Sequence, residues 1–159
     1  MLANLLQNRT ALILLAMAGS AGLLLGAWSF QYIGGMAPCE LCIWQRWPHG
    51  AAFLFGLLAL RSQGPVLPVL GGLGAATSGG IGVLHTGVER DWWEGLTSCT
   101  SGDITGMSTD DLMEQIMAAP IVRCDEVPWE MFTLSMASWN AVVSFGLAAV
   151  WFWAATRRA

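Results

Sequence analysis

Residues 10–39 read TALILLAMAGSAGLLLGAWSFQYIGGMAPC, thirty positions without one acidic or basic side chain. An α-helix rises about 1.5 Å per residue and a bilayer core is about 30 Å thick, so about 20 such residues suffice to cross it. Three more charge-free runs follow, Trp47 to Leu60, Ser62 to Val88 and Met131 to Thr156, of 14, 27 and 26 residues. The 14-residue run is too short by itself. It crosses only if it begins near Leu41, which draws Arg46 into its first turns, where a long arginine can snorkel toward the headgroups. The expected fold is an all-α integral membrane protein, a four-helix transmembrane bundle in one domain (1–159). Its helices are expected at about 10–30, 41–60, 65–88 and 131–155, with outward loops at about 31–40 and 89–130.

Composition supports this reading. The 159 residues are 55% hydrophobic and include 19 glycines, while only 11% are charged, against about 25% in soluble domains. So few charges cannot coat a soluble domain of this length. There is no lysine, and seven arginines face eleven acids, so a basic footprint for nucleic acid is missing. Disorder requires low hydrophobicity and is excluded as well. The first run has an apolar core longer than a signal peptide's, and its A-x-A pattern, Ala16-Met17-Ala18, lies inside that core; a retained helix is expected.

Small residues recur every fourth position at Ala18, Gly22 and Gly26, at Ala75 and Gly79, and at Ser78 and Gly82, a spacing that lets membrane helices approach closely. Trp28, Trp44, Trp47 and Trp129 fall near one set of helix ends and Trp151 and Trp153 near the other, as an aromatic belt would. Trp139 is expected to be packed mid-helix. Arg9, Arg61, Arg157 and Arg158 all fall on one side of a four-crossing chain. Ten acids lie between Glu89 and Glu130 on the other. The positive-inside rule then puts both termini in the cytoplasm and both long loops outside.

All four cysteines lie in or beside the outward loops, and on an oxidising face an even count suggests two disulfides. Cys99 and Cys124 would enclose a loop long enough for ordinary stapling. Cys39-Glu40-Leu41-Cys42 would close almost no chain, and such tight pairs serve redox chemistry or half a metal site. A Cys₄ zinc site wants two tight pairs, and the second pair is 24 residues apart. Covalent haem needs C-x-x-C-H, but Ile43 follows Cys42. A thioredoxin-like setting needs alternating strands and helices. A thiol–disulfide site at the membrane surface remains.

On a helix starting near Leu41, Cys42, Arg46 and His49 share a face. A helix N-terminus and a guanidinium both favour thiolate, so Cys42 is expected to be the low-pKa member. His49 reads as a satisfied polar residue in the bundle, and His85, near the outward end of the third helix, as a candidate ligand contact. In the acidic loop Ser108 and Asp111 resemble a capping box. Leu112, Met113, Ile116 and Met117 form an apolar stripe ended by Pro120, so a short amphipathic helix is expected there.

Three features together resemble the DsbB family of bacterial disulfide-bond formation proteins. They are Pro38-Cys39-Glu40-Leu41-Cys42-Ile43-Trp44-Gln45-Arg46, a second cysteine pair in the next outward loop, and the stretch from Trp129 to Asn140. Glu40 departs from the family's small or apolar residue and adds negative charge beside the thiols. The resemblance implies a multi-pass protein of the bacterial inner membrane that reoxidises DsbA, a soluble periplasmic thiol oxidase, and passes electrons to the membrane quinone pool. It further implies redox-active disulfides Cys39–Cys42 and Cys99–Cys124, with DsbA attacking at Cys99. Cys42 would face a bound quinone (ubiquinone or menaquinone), with Arg46 as the quinone-site arginine; His85 joins them as a contact only by its level in the bundle. A paralogue serving another soluble thiol partner is the nearest rival. From another class, a haem protein would ligate its iron through His49 and His85.

Overall fold

Among the described residues, four long helices carry the fold. The computed structural model describes residues 8–95, 108–110, 113, 117 and 122–157. Helix α1 spans Arg9–Tyr32, and Asn8 caps it by accepting from the Thr10 and Ala11 N–H groups at 2.9 and 3.3 Å. Helix α2 spans Glu40–Ala59 with Cys39 as its N-cap, and it runs through Pro48. Helix α3 spans Val66–Glu89 directly after Pro65. Helix α4 spans Met136–Thr156, capped by Ser135 Oγ accepting from the Ser138 N–H at 3.2 Å.

The fourth helix starts five residues later than the charge-free run predicts. Strand β1 (Glu130–Met131) pairs antiparallel with β2 (Leu134–Ser135), which consumes the backbone groups that a helix would need. Phe132 and Thr133 form the turn with φ of 53° and 63°, the left-handed pair of a tight hairpin. Charge patterning carries no information about such a turn.

The helices pack in a ring, α1 on α2, α2 on α3, α3 on α4 and α4 on α1. Leu12, Ile13, Ala16, Met17, Ala75, Ala148 and Trp151 form the core away from the cysteines. Trp151 is fully buried, so it is a core residue and not part of an aromatic belt. It fits because α2 and α3 present glycine to it: a Cβ on Gly71 would lie 2.9 Å from its ring, as would one on Gly56. Gly79 and Gly82 likewise receive Phe145 and the Ala137–Ala141 turn of α4, in keeping with close approach at small residues. Gly22 and Gly26 behave differently, since nothing lies within 4 Å of a Cβ at either.

Helices α1, α3 and α4 are each long and apolar enough to cross a membrane; α2, which carries Glu40 and Arg46, is not among them. Leu14, Leu15, Leu25, Leu54, Leu58, Val66 and Leu73 are exposed on the outside of the bundle. Arg9 is buried, and its guanidinium donates to the Ala59, Ser62 and Gly64 carbonyls at 3.3, 2.8 and 2.9 Å. It thereby satisfies acceptors left open where α2 ends. Of the expected amphipathic helix, Thr109, Asp110, Met113 and Met117 are helical and exposed; Leu112 and Ile116 lie outside the described residues.

Candidate functional site

Cys39 stands where the chain turns into α2. As the N-cap, its sulfur accepts the Cys42 N–H at 3.3 Å, and its 5% exposure removes it from solvent. Cys42 follows one turn on, and the two free thiols hold their sulfurs 3.0 Å apart. The expectation that Cys42 is the more acidic thiol is therefore corrected. Hydrogen bonding with the Cys42 thiol, the His85 ring and the Cys42 N–H hold the Cys39 thiol well below its ordinary range, against the opposing push of burial. The helix begins one residue earlier than expected, so the sulfur capping its open N–H groups is that of Cys39.

His85 reaches this sulfur from α3, its Nε2 lying 3.6 Å from Cys39 Sγ and 3.8 Å from Glu89 Oε1. Ser135 donates to the same carboxylate from the start of α4. Cys124 comes in from the loop before the hairpin. It is fully buried and disulfide-bonded, and its sulfur, that of Cys39 and a His85 ring nitrogen all lie within 4.8 Å of one another. Cys99 lies outside the described residues. This donor set would suit a soft metal if all its thiols were free, but a sulfur held in a disulfide is a poor ligand. As it stands the cluster sets the Cys39–Cys42 thiols beside the disulfide sulfur of Cys124. Beside Cys124, Arg123 Nε donates to Asp125 Oδ1 at 2.9 Å, and this pairing holds the Asp125 carboxyl below the usual carboxylate range.

Beside the pair opens a cavity of about 410 Å³. Cys39, Cys42, Arg46, His49 and His85 line it, so the residues that helical spacing placed on one face share one space. Gly22, Leu23, Phe30, Trp129 and Trp139 supply apolar walls. Arg46 Nη1 donates to Gln31 Oε1 at 2.6 Å, while its buried Nε has no partner. An unpaired buried donor in an apolar cavity beside a thiol suits a flat apolar ring bearing carbonyl acceptors. Trp139 is not simply packed: it donates from Nε1 to the Met131 carbonyl at 3.1 Å and forms part of this wall.

Three polar residues here escaped the sequence reading: Gln45, Glu89 and Asn140. Gln45 bonds His85 Nδ1 at 3.0 Å, and Asn140 Nδ2 donates to Gln45 Oε1 at 2.7 Å. Asn140 Oδ1 also lies 3.3 Å from His49 Nε2, so the two histidines are the ends of one chain. Their ring nitrogens are engaged with Gln45 and Cys39, or with Ser20, Asn140 and Ser144. That leaves the bis-histidine haem reading without a free pair of ligands. A usable signal did exist, because uncharged amides inside apolar spans are costly unless they have partners.

The sequence profile of the family described as "Disulfide bond formation protein DsbB" matches residues 8–154. Proteins called Disulfide bond formation protein B are similar to the chain over most of its length. The one from Actinobacillus pleuropneumoniae serotype 5b is 30% identical, covering 91% of this chain and 83% of that protein. The one from Stutzerimonas stutzeri is 28% identical, covering 96% and 98%, and one from Xanthomonas oryzae pv. oryzae is 31% identical, covering 87% and 85%. No solved structure matches the chain.

Proposed function

Since the chain belongs to the DsbB family, whose members are membrane thiol–disulfide oxidoreductases, we propose that it reoxidises a DsbA-like periplasmic thiol oxidase and delivers the electrons to membrane quinone. In this reading all four helices cross the bacterial inner membrane, with both termini cytoplasmic. The arginines at the closed end of the bundle and the cysteines at the opposite end support that orientation. The observation that carries the proposal is the position of Cys39, between the sulfur of Cys124 and the cavity of Arg46.

The steps follow from that position. The partner's thiolate attacks Cys99 of a Cys99–Cys124 disulfide, that S–S bond breaks, and Cys124 leaves as thiolate. In an oxidised Cys39–Cys42 pair, Cys39 is the sulfur within reach of Cys124. Attack there breaks the Cys39–Cys42 bond and releases the Cys42 thiolate into the cavity wall. Exchange of this kind needs a thiolate close to the disulfide it attacks, and the nearness of the Cys124 and Cys39 sulfurs supports it. Arg46 and the apolar walls would hold a quinone, which when bound supplies a two-electron, two-proton acceptor beside Cys42. The guanidinium favours negative charge on both the thiolate and the acceptor oxygen.

The test is quinone reduction by the purified protein supplied with a reduced DsbA-type partner. Wild type should turn over, Cys42→Ser should not, and Arg46→Ala should be slowed. Equal rates for all three would overturn the mechanism.

A further inference from the structure

The polar chain that joins the two histidines has a direction, and the direction can be read from its amides. Asn140 Nδ2 donates to Gln45 Oε1 at 2.7 Å, to Ser78 Oγ at 3.1 Å and to the Ser78 carbonyl at 3.4 Å. Its Oδ1 accepts from Ser144 Oγ at 3.3 Å. With its oxygen engaged by Asn140, Gln45 turns its NH₂ group toward the Leu41 carbonyl at 3.1 Å and His85 Nδ1 at 3.0 Å. Every amide atom has a partner of the right kind only in this orientation, since an amide nitrogen cannot accept and a carbonyl cannot donate. His85 Nδ1 must then be the bare nitrogen and Nε2 the one bearing hydrogen. Nε2 is the atom 3.6 Å from Cys39 Sγ.

We infer that Gln45 and Asn140, anchored at the far end by His49, are positioning residues that hold His85 in the tautomer whose Nε2–H is aimed at the Cys39 sulfur. The inference deepens the proposed function and rests on its assignment of Cys39 as the exchange sulfur. A neutral N–H donor at that place stabilises the sulfur whenever it carries negative charge. The opposite tautomer would present a lone pair to the sulfur and repel a thiolate. The other groups facing the ring are Glu89, whose carboxylate is 3.8 Å from Nε2, and Cys124. Glu89 thus faces Nε2 and favours hydrogen there, while the Gln45 NH₂ group meets Nδ1.

His49 closes the chain from below. Its Nε2 lies 3.0 Å from Ser144 Oγ and 3.3 Å from Asn140 Oδ1, and its Nδ1 lies 3.3 Å from Ser20 Oγ. Ser144 gives its hydrogen to Asn140, so it accepts from His49, which makes His49 an Nε2–H tautomer too. The relay thus crosses all four helices: Ser20 on α1, Gln45 and His49 on α2, Ser78 and His85 on α3, Asn140 and Ser144 on α4.

The chain contains only two histidines, which makes the protonation state directly observable. Protein labelled with ¹⁵N-histidine in nanodiscs should show a bare Nδ1 and a protonated Nε2 for His85 at neutral pH, with His85→Asn identifying its signals. Hydrogen on His85 Nδ1 overturns the inference without any variant. Gln45→Glu keeps the shape but replaces the donor with an acceptor, and should move a proton onto Nδ1. Gln45→Met should leave the tautomers mixed and raise the pH midpoint of Cys39 alkylation in reduced protein by about one unit. A Gln45→Met protein with wild-type tautomer and midpoint would overturn it as well. Should the proposed function itself fail, wild type would not reduce quinone although the tautomer is as stated, so the two failures are distinguishable.

Discussion

Arg46 Nη1 donates to Gln31 Oε1 at 2.6 Å, binding the first turns of α2 to the last turn of α1 beside the cavity that Arg46 lines. The contact fixes one edge of the guanidinium and leaves Nε free to meet a ligand. Arg46→Ala is expected to raise the quinone KM about 10- to 100-fold, the worth of one or two charge-assisted hydrogen bonds. Gln31→Ala should produce a smaller rise, because it loosens the arginine without removing it. Steady-state quinone reduction at varied quinone concentration checks both.

Gly22 and Gly26 are cavity glycines, with open space where a side chain would stand. Gly22→Leu or Gly26→Leu should fold normally and lose most quinone reduction, while partner oxidation in a single turnover through the cysteines persists. Gly71→Ala makes the contrast, since its Cβ meets the Trp151 ring at 2.9 Å. It should lower stability by about 1–3 kcal/mol through overpacking. Thermal unfolding in detergent, beside a single-turnover thiol assay, separates the two classes.

The lowered pKa of Cys39 sets a pH dependence whose sign is definite. A thiol held below its ordinary range stays ionised as pH falls through neutrality, and it loses reactivity only when pH drops through the lowered value. In reduced protein, iodoacetamide should therefore modify Cys39 at a nearly constant rate from pH 8 to about pH 6, where an ordinary thiol near pKa 8.5 slows about tenfold per unit. Mass spectrometry of the alkylated peptide gives the measurement. A rate that falls tenfold per unit across this range would contradict the assignment.

Arg9 is 6% exposed and spends its guanidinium on three carbonyls around the end of α2. Arg9→Met keeps the stem and removes the donors, leaving the half-buried Ser62 and Gly64 carbonyls without the guanidinium. It should cost about 2–4 kcal/mol of stability, read as a lowered midpoint of unfolding, with kinetic constants of the folded fraction unchanged.

Different parts of this molecule were legible to different degrees. Charge-free runs are a one-dimensional property, so α1 and α3 could be located from Thr10 to Cys39 and from Ser62 to Val88 without knowing what they touch. The hairpin before α4 could not, because its cause is a left-handed pair at Phe132 and Thr133 in a stretch as apolar as the helix it precedes. At the site, Cys42, Arg46 and His49 come from one helix, and spacing alone places them together. Gln45, Glu89 and Asn140 acquire meaning only where α2, α3 and α4 meet. Trp151 was misplaced for a related reason: its burial depends on glycines in two other helices, and no local pattern in α4 reveals them.

Cys39 is at once a helix cap and a redox sulfur, and that union has a thermodynamic consequence for the electrons. Each interaction that favours its thiolate, from the Cys42 N–H to the His85 ring, exists in full only when the pair is reduced. Stabilising the reduced form raises the reduction potential of the Cys39–Cys42 couple, by about 30 mV for each 1.4 kcal/mol. The first turn of α2 thus makes the oxidised pair a stronger oxidant than a simple disulfide in water. In the proposed route this biases electrons to enter from the loop, and the remaining driving force would come from a quinone in the cavity.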